Sequence, residues 1–266
     1  VVGAARTPIG GFQGVLTDAS GPHLGASAIE AALERSGVAV DTIDEVLMGC
    51  VLAAGQGQAP ARQAALGAGL PLGVGCTTVN KMCGSGMKAV MLAHDQIHAG
   101  SSSIVVAGGQ ESMTNAPYLL PRARSGLRLG HADVIDHMFL DGLEDAYEPG
   151  RLMGSFAEDC ADHYSFSRED QDDYAIESLT RATEAIESGA FASQITRVTV
   201  NTRRGDVTVD TDEQPQTANI EKIPQLKPAF RKGGTVTPAN SSSISDGAAA
   251  LVLMRLSEAE RGGHVP

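Results

Sequence analysis

Apolar positions along this chain fall into two kinds of pattern: short uninterrupted runs, and longer stretches repeating at three- and four-residue spacing. The first kind reads as buried strand and the second as helix. Val1 to Ala5 is a short run, broken by Thr7-Pro8 and Gly10-Gly11. Leu24, Ala28, Ile29, Ala32 and Leu33 repeat helically until Gly37 stops them. Val46-Leu47-Met48 centres a strand within 44–53, and a Gly- and Gln-rich loop then leads to a helix from Ala61 to Gly67. Thr77 to Val79 is a short β-prone run. Met87, Val90, Met91, Ala93 and Ile97 repeat helically as far as Ala99-Gly100, and Ile104-Val105-Val106 centres a further buried strand. Strand and helix alternate, which predicts a layered α/β domain.

The character changes after Asn115. From 116 to about 150 there is little periodicity and much Gly, Pro, Arg and Asp. Structureless stretches of this length are usually functional or disordered. Helices are predicted over 152–164 and 167–189, the second with Ser167 as N-cap, Asp170 at the capping-box spacing and Gly189 as its stop. A hairpin is predicted from 197–200 and 207–209, around Arg203-Arg204-Gly205-Asp206. Lys222 to Lys232 is basic and contains proline, and Ala248 to Met254 is an apolar run returning the chain to the core. The reading is a core made of 1–115 and 234–266, interrupted between its fourth and fifth strands by an inserted α+β loop domain over 116–233.

One stretch of the core carries the chemistry. Cys83, followed by Gly84 and Gly86, lies between the β-prone run and the helical pattern, so it should sit on a strand-to-helix turn. A helix start offers unpaired backbone N–H groups and a partial positive charge. Both favour a thiolate over a thiol and make a nucleophile near neutral pH. The two glycines remove side chains where another group must approach the backbone. Two readings compete with this one. A free cysteine is usually a small buried hydrophobe. Gly84-Ser-Gly86-Met-Lys-Ala89 also fits a dinucleotide fingerprint, with Glu111 roughly 20 residues further on. The polar segment from Gly75 to Met82 is, however, a poor match to the buried strand that such a site needs.

Bulk composition narrows the classes. The chain has 266 residues, enough for one large or two ordinary domains, with 42 % hydrophobic residues and 31 glycines. A net charge of −12 argues against nucleic acid and an anionic membrane surface as partners. It leaves a phosphate-bearing substrate open, because a local basic cluster can hold one. No apolar run approaches the roughly 20 residues needed to span a membrane. The four cysteines show no C-x-x-C spacing and do not resemble a disulfide framework. That points to a reducing compartment, and the cytoplasm is the expectation. The chain opens on Val1-Val2-Gly3 without Met, so a mitochondrial leader upstream stays open.

Five motifs, in order, carry a resemblance. Asn80-Lys81-Met82-Cys83-Gly84-Ser85-Gly86 resembles the nucleophile motif of the thiolases. Ala4-Ala5-Arg6-Thr7-Pro8-Ile9-Gly10 resembles their N-terminal strand and turn, and Gly55 to Gln63 their G-x-G-Q-x-P-A-R-Q loop. Ala107-Gly108-Gly109-Gln110-Glu111-Ser112-Met113 is similar to their A-G-G-x-E-S-M. Gly234-Thr235-Val236-Thr237, Asn240 and Asp246 to Ala250 match the return segment. The resemblance implies a thiolase-like layered α/β core, the N-terminal half of that fold, with a loop domain over 116–233 that covers the active site and holds coenzyme A.

It also implies a reaction. Cys83 would accept an acyl group from acyl-CoA, with its own backbone N–H as one donor to the oxyanion. Two acetyl-CoA would give acetoacetyl-CoA and CoA. Leu143, Met153, Phe230 and Ser242 fall at positions near the acyl group or coenzyme A, and Lys222, Lys227, Arg231 and Lys232 offer charge for its phosphates. On residues alone, Met153 reads equally as a core-facing helix residue, Ser242 as part of a solvated turn and the basic run as a solvated face. Leu152 is a departure, since short-chain biosynthetic thiolases commonly have His there. A longer-chain 3-ketoacyl-CoA thiolase is therefore the runner-up. A non-catalytic acyl-CoA-binding fragment is the reading from another class. No permanent cofactor and no metal is implied, and a dimer or tetramer is expected. His94 and His98 share a helix face but lie about three and four turns beyond Cys83, too far to serve the sulfur. The family's later G-H-P, C-x-G-G-G and N-E-A-F motifs are not in this sequence. The expectation is a chain that continues past Pro266 into a C-terminal domain.

Overall fold

The computed structural model describes residues 1–266. The elements of the core follow one another as β1 (Gly3–Arg6), β2 (Gly10–Gly11), α1 (Gly21–Ser36), β3 (Glu45–Gly49), α2 (Pro60–Gly67), β4 (Gly75–Val79), α3 (Ser85–Ala99) and β5 (Ile104–Ser112). A second stretch holds β6 (Tyr118–Leu119), β7 (Ile135–Asp136), α4 (Met153–Tyr164) and α5 (Arg168–Glu187). Then come β8 (Val198–Thr202), β9 (Gly205–Val209), α6 (Glu213–Thr217), β10 (Ser245–Met254) and α7 (Leu256–Gly262).

The central sheet runs β1-β10-β5-β3-β4, with β2 also on β10. β3 pairs in parallel with both β4 and β5, and β10 pairs antiparallel with β5 and β1. The apolar runs of β3 and β5 have no polar face because both faces are covered. Val46, Met48 and Val106 point into one core with α1 and α2. Leu47, Val105 and Ala107, the alternate positions, point into another with Ala89 and Ala93 of α3. The sheet is thus sandwiched between helices, as the alternation of elements predicts.

Contacts divide the chain into two compact units: 1–115, 191–213 and 245–266 form the first, and 116–190 with 214–244 the second. This corrects the boundaries read from sequence, which put all of 116–233 in the insertion and 234–244 in the core. The β8–β9 hairpin belongs to the core because Val198, Val200 and Val209 are buried in the α1 cluster. Its flanks are fastened there too. Arg6 forks onto both oxygens of Asp212 at 2.8 and 2.9 Å, and Arg35 donates to the carbonyls of Gln194 and Ile195. Glu213 accepts from the N–H groups of Gly11 and Val15. Such long-range side-chain ties leave no trace in local periodicity. In the second unit, α5 carries the full capping box at Ser167 and Asp170 that the sequence predicts. The segment 234–240 is tied to its helices. Thr235 and Val236 donate to Glu158, and Asn240 donates to Asp172. The aperiodic stretch from 116 holds only the β6–β7 ladder and short turns.

Two core carboxyls respond to pH in opposite senses. Burial alone would push Asp212 up, but the Arg6 fork and the Ile9 N–H outweigh it and hold the carboxyl below its usual range. Its stabilisation is present in full above the unfolded value, about 3.9, and is lost as pH falls through the lower folded value. Burial raises Asp246, which is fully buried opposite Ser112, so its contribution is lost as pH rises through the raised folded value. Replacing Asp212 with Asn leaves Arg6 without its anion. We expect a loss of about 2 kcal/mol at neutral pH. Urea titrations from neutral to acid pH check this: the gap between wild type and variant should close as Asp212 protonates.

Candidate active site

Cys83 stands on the short connection from Val79, the last residue of β4, to Ser85, the first of α3. The connection is held by its own polar groups. Asn80 Oδ1 accepts from the Met82 N–H at 3.0 Å. The Ser85 hydroxyl, buried, accepts from the Lys81 N–H at 2.9 Å and donates to the Met82 carbonyl. The Ser85 N–H donates to the same carbonyl at 2.9 Å. Met82 has φ +49°, a left-handed conformation that costs a non-glycine residue of order 1 kcal/mol. The outcome is a sharp turn with the Cys83 side chain exposed at its outer point.

The first turn of α3 rests backbone to backbone on the end of β3 and the facing part of β5. A Cβ at Gly49 would lie 2.5 Å from the Gly86 nitrogen, and one at Gly109 would lie 3.3 Å from the Gly86 Cα. The close approach read for Gly86 is therefore present, and its other half is Gly49, which the sequence reading passed over. Gly84 is different. Its φ is −91° and a Cβ there would meet nothing closer than Lys81 O at 3.5 Å. No packing contact requires glycine at that position.

The other thiols contrast with Cys83. Cys50 is 2 % exposed, and burial, with the Glu111 carboxylate beside it, pushes its thiol up to about 12. Burial also raises Cys76, and Cys160 is exposed on α4. Glu111 itself closes the turn after β3, accepting from the N–H groups of Val51 at 2.8 Å and Leu52 at 3.0 Å. The acid that a dinucleotide fingerprint would assign to a ribose is thus occupied with backbone. The remaining family motifs also do structural duty. Gln63 donates to the carbonyls of Gln56 and Gln58, and Arg62 to those of Leu72 and Val74. His94 and His98 stack in parallel, with centroids 6.1 Å apart, and no group of three or more His, Cys, Asp or Glu converges on a metal position.

In the second unit, three of the five positions proposed for coenzyme A come together. Leu143 ends a π-helical turn, Phe139–Leu143, that His137 fastens through Asp141 at 2.6 Å. Glu144, the next residue, bridges to Leu152, and Leu152 precedes Met153 at the start of α4. The Phe230 ring lies over Gly154, so closely that a Cβ there would be 2.3 Å from ring carbons. Leu143, Met153 and Phe230 are thus each adjacent in the chain to, or packed on, the first residues of α4 and the strand bridge before it. Lys222 is exposed in a 3₁₀ turn, Ile220–Gln225, and Ser242 is exposed after Ser241. Among the basic residues, Arg231 is committed to Asp162 at 2.8 Å and to Glu158, so the charge read there for phosphate is already paired. Glu158, 1 % exposed, escaped the sequence reading. Its only signal is its place one turn beyond Gly154.

Comparison with known proteins agrees with this layout. The thiolase N-terminal domain family matches residues 1–257. The chain is 49 % identical over 265 residues to an acetyl-CoA acetyltransferase of Pseudomonas aeruginosa, covering 99 % of this chain and 67 % of that protein. It is 52 % identical to acetyl-CoA acetyltransferase 1 of Arabidopsis thaliana, covering 100 % of this chain and 65 % of that one. A mouse mitochondrial acetyl-CoA acetyltransferase is 46 % identical, with 98 % and 61 % covered. The crystal structure of the Bacillus anthracis acetyl-CoA acetyltransferase superposes with a TM-score of 0.96 at 41 % identity, covering 100 % of this chain and 67 % of that chain. The chain thus spans about two thirds of the length of these relatives. On the family match and these identities, the chain belongs to the thiolase family, whose N-terminal domain it comprises.

Proposed function

We propose that this chain, joined to the part of the protein its relatives carry beyond it, catalyses acyl transfer between coenzyme A thioesters, with two acetyl-CoA giving acetoacetyl-CoA and CoA. The observation that carries the reading is Cys83, exposed on a hydrogen-bonded turn at the start of α3, within a motif that thiolases share. The Cys83 thiolate attacks the thioester carbonyl of acetyl-CoA. Charge collects on the carbonyl oxygen, with the backbone N–H of Cys83 as one donor. The C–S bond to coenzyme A breaks, CoA leaves as a thiolate that takes up a proton, and Cys83 carries the acetyl group. A second acetyl-CoA loses an α-proton. Its carbanion attacks the acetyl-cysteine carbonyl, a C–C bond forms, and the Cys83 thiolate is released. The family's proton-transfer groups, a His and a second Cys, belong to motifs outside this sequence.

Met153, Leu143 and Phe230 supply an apolar wall for the acyl and pantetheine portions, and Lys222 and Ser242 serve the nucleotide end and a pantetheine amide. Leu152, apolar at the N-cap of α4, favours longer acyl chains as the second reading. We place the protein in the cytoplasm as a homo-oligomer. No helix is long and apolar enough to cross a membrane. The mouse relative is a mitochondrial protein, and the mitochondrion is the other candidate compartment.

Intact mass before and after brief incubation with acetyl-CoA tests the mechanism in the protein from its natural reading frame. We expect one added acetyl group, absent from Cys83→Ser. No acetylation with retained coenzyme A binding would replace the enzyme reading with the binding-module one. Alkylation mapping gives an independent check. Iodoacetamide should modify Cys83 and Cys160 in the native chain and Cys50 only after unfolding. Prior acetyl-CoA should protect Cys83 and leave Cys160 reactive.

A further inference from the structure

The face of α4 that meets Phe230 also carries a buried carboxylate with no place in the acyl-transfer steps. Gly154 and Glu158 stand at i and i+4, one above the other on that face. Glu158 Oε1 accepts from the N–H groups of Thr235 at 3.0 Å and Val236 at 2.9 Å. Oε2 accepts from the Thr235 N–H at 2.9 Å and the Thr235 hydroxyl at 3.3 Å, and lies 3.5 Å from an Arg231 nitrogen. A buried ionised carboxylate requires donors of this number, and removing them would leave a desolvated charge. The fit is tight: a Cβ at Gly234 would lie 2.1 Å from Oε1.

The segment that Glu158 grips is closed on itself. The Ala229 N–H donates to the Val236 carbonyl at 2.9 Å, and the Gly234 N–H to the Arg231 carbonyl at 3.0 Å. Residues 229–236 therefore form one small loop. Fixing Thr235 and Val236 fixes Ala229, and with it Phe230. Gly154, the residue after Met153, then admits the ring against the helix. At the same residue, Gln171 donates to the Thr235 hydroxyl and Asn240 to the Thr235 carbonyl. The loop is held at its return end and presents Phe230 at the other.

We propose that Glu158 is a positioning residue for thioester binding, holding Phe230 over Gly154 through the 229–236 loop. The inference rests on the reading of Phe230 and Met153 as contacts of the thioester. Glu158 acts on affinity and leaves the chemistry at Cys83 alone.

The test uses the protein from its natural reading frame, with E158Q, T235V, F230L and the double variant E158Q/F230L. For E158Q, KM for acetyl-CoA should rise about tenfold while kcat stays within about threefold. T235V removes only the hydroxyl bond and should raise KM by about threefold. F230L should raise KM on its own, and the double variant should be little worse than the worse single one, because both changes remove the same placement. A fully additive double variant, or E158Q with unchanged KM, overturns the proposal. A fall in kcat with KM held overturns it as well. If E158Q fails to fold, T235V decides: a raised KM supports the proposal and an unchanged one overturns it. Acetylation of wild-type Cys83 separates this inference from the reading beneath it. Its absence removes the acyl-transfer reading, and the dissociation constant of coenzyme A for the same variants then stands in for KM, with the same outcomes.

Discussion

The core depends on one close approach: the backbone of the first turn of α3 against the end of β3 and the facing part of β5. Helix and sheet usually meet through side chains, but here Gly49, Gly86 and Gly109 remove them. The helix start can therefore sit directly over the carboxyl end of β3 and the facing part of β5. In open α/β sheets the carboxyl ends of strands are where ligands bind. The same approach accounts for the turn before the helix. With Ser85 trapped against Gly49, the five residues back to β4 must fold sharply, and the strain of Met82 is held by Asn80 and Ser85. Strain at a functional turn persists where the surroundings over-determine it. Cys83 has no such ties on its side chain and stays outside.

A second constraint recurs in both units. Carboxylates join segments distant in sequence by accepting from backbone N–H groups. Asp44 holds Ser103 and Ile104, Glu111 holds Val51 and Leu52, and Glu213 holds Gly11 and Val15. Glu158 does the same for Thr235 and Val236. Part of the net charge of −12 is therefore structural cement rather than surface field. Such bonds to ionised acceptors are stronger than neutral ones. Each also satisfies N–H groups in turns that have no ladder partner.

This explains what was legible in the sequence and what was not. Local signals came through: the apolar runs of β3, β5 and β10, the capping box of α5, and the β8–β9 hairpin. The place of Cys83 on a strand-to-helix turn was legible because glycine flanks and helix periodicity coincide within a few positions. The unit boundary was not legible. The hairpin sits on the core because Val198, Val200 and Val209 pack into the α1 cluster and Arg6 reaches Asp212 more than two hundred positions away, and local periodicity does not name either partner. Gly49 and Glu158 were missed for the same reason. Each acts only through a partner far along the chain, Ser85 and Gly86 for one and Thr235 and Val236 for the other.

The second unit uses some of its arginines to hold its own chain in place. Three of them fasten loops: Arg168 on Asp172 and the carbonyls of Ile223 and Leu226, Arg151 on Glu148 and Asp159, and Arg231 on Asp162 and Glu158. Lys222, Lys227 and Lys232 are exposed. The planar guanidinium matches carboxylates and carbonyls in fixed geometry, whereas an ammonium is a mobile, hydrated point charge. A unit built this way fixes its loops with arginine and leaves lysine as adaptable charge. Each arginine here therefore ties a particular pair of segments together, which an exposed lysine does not do.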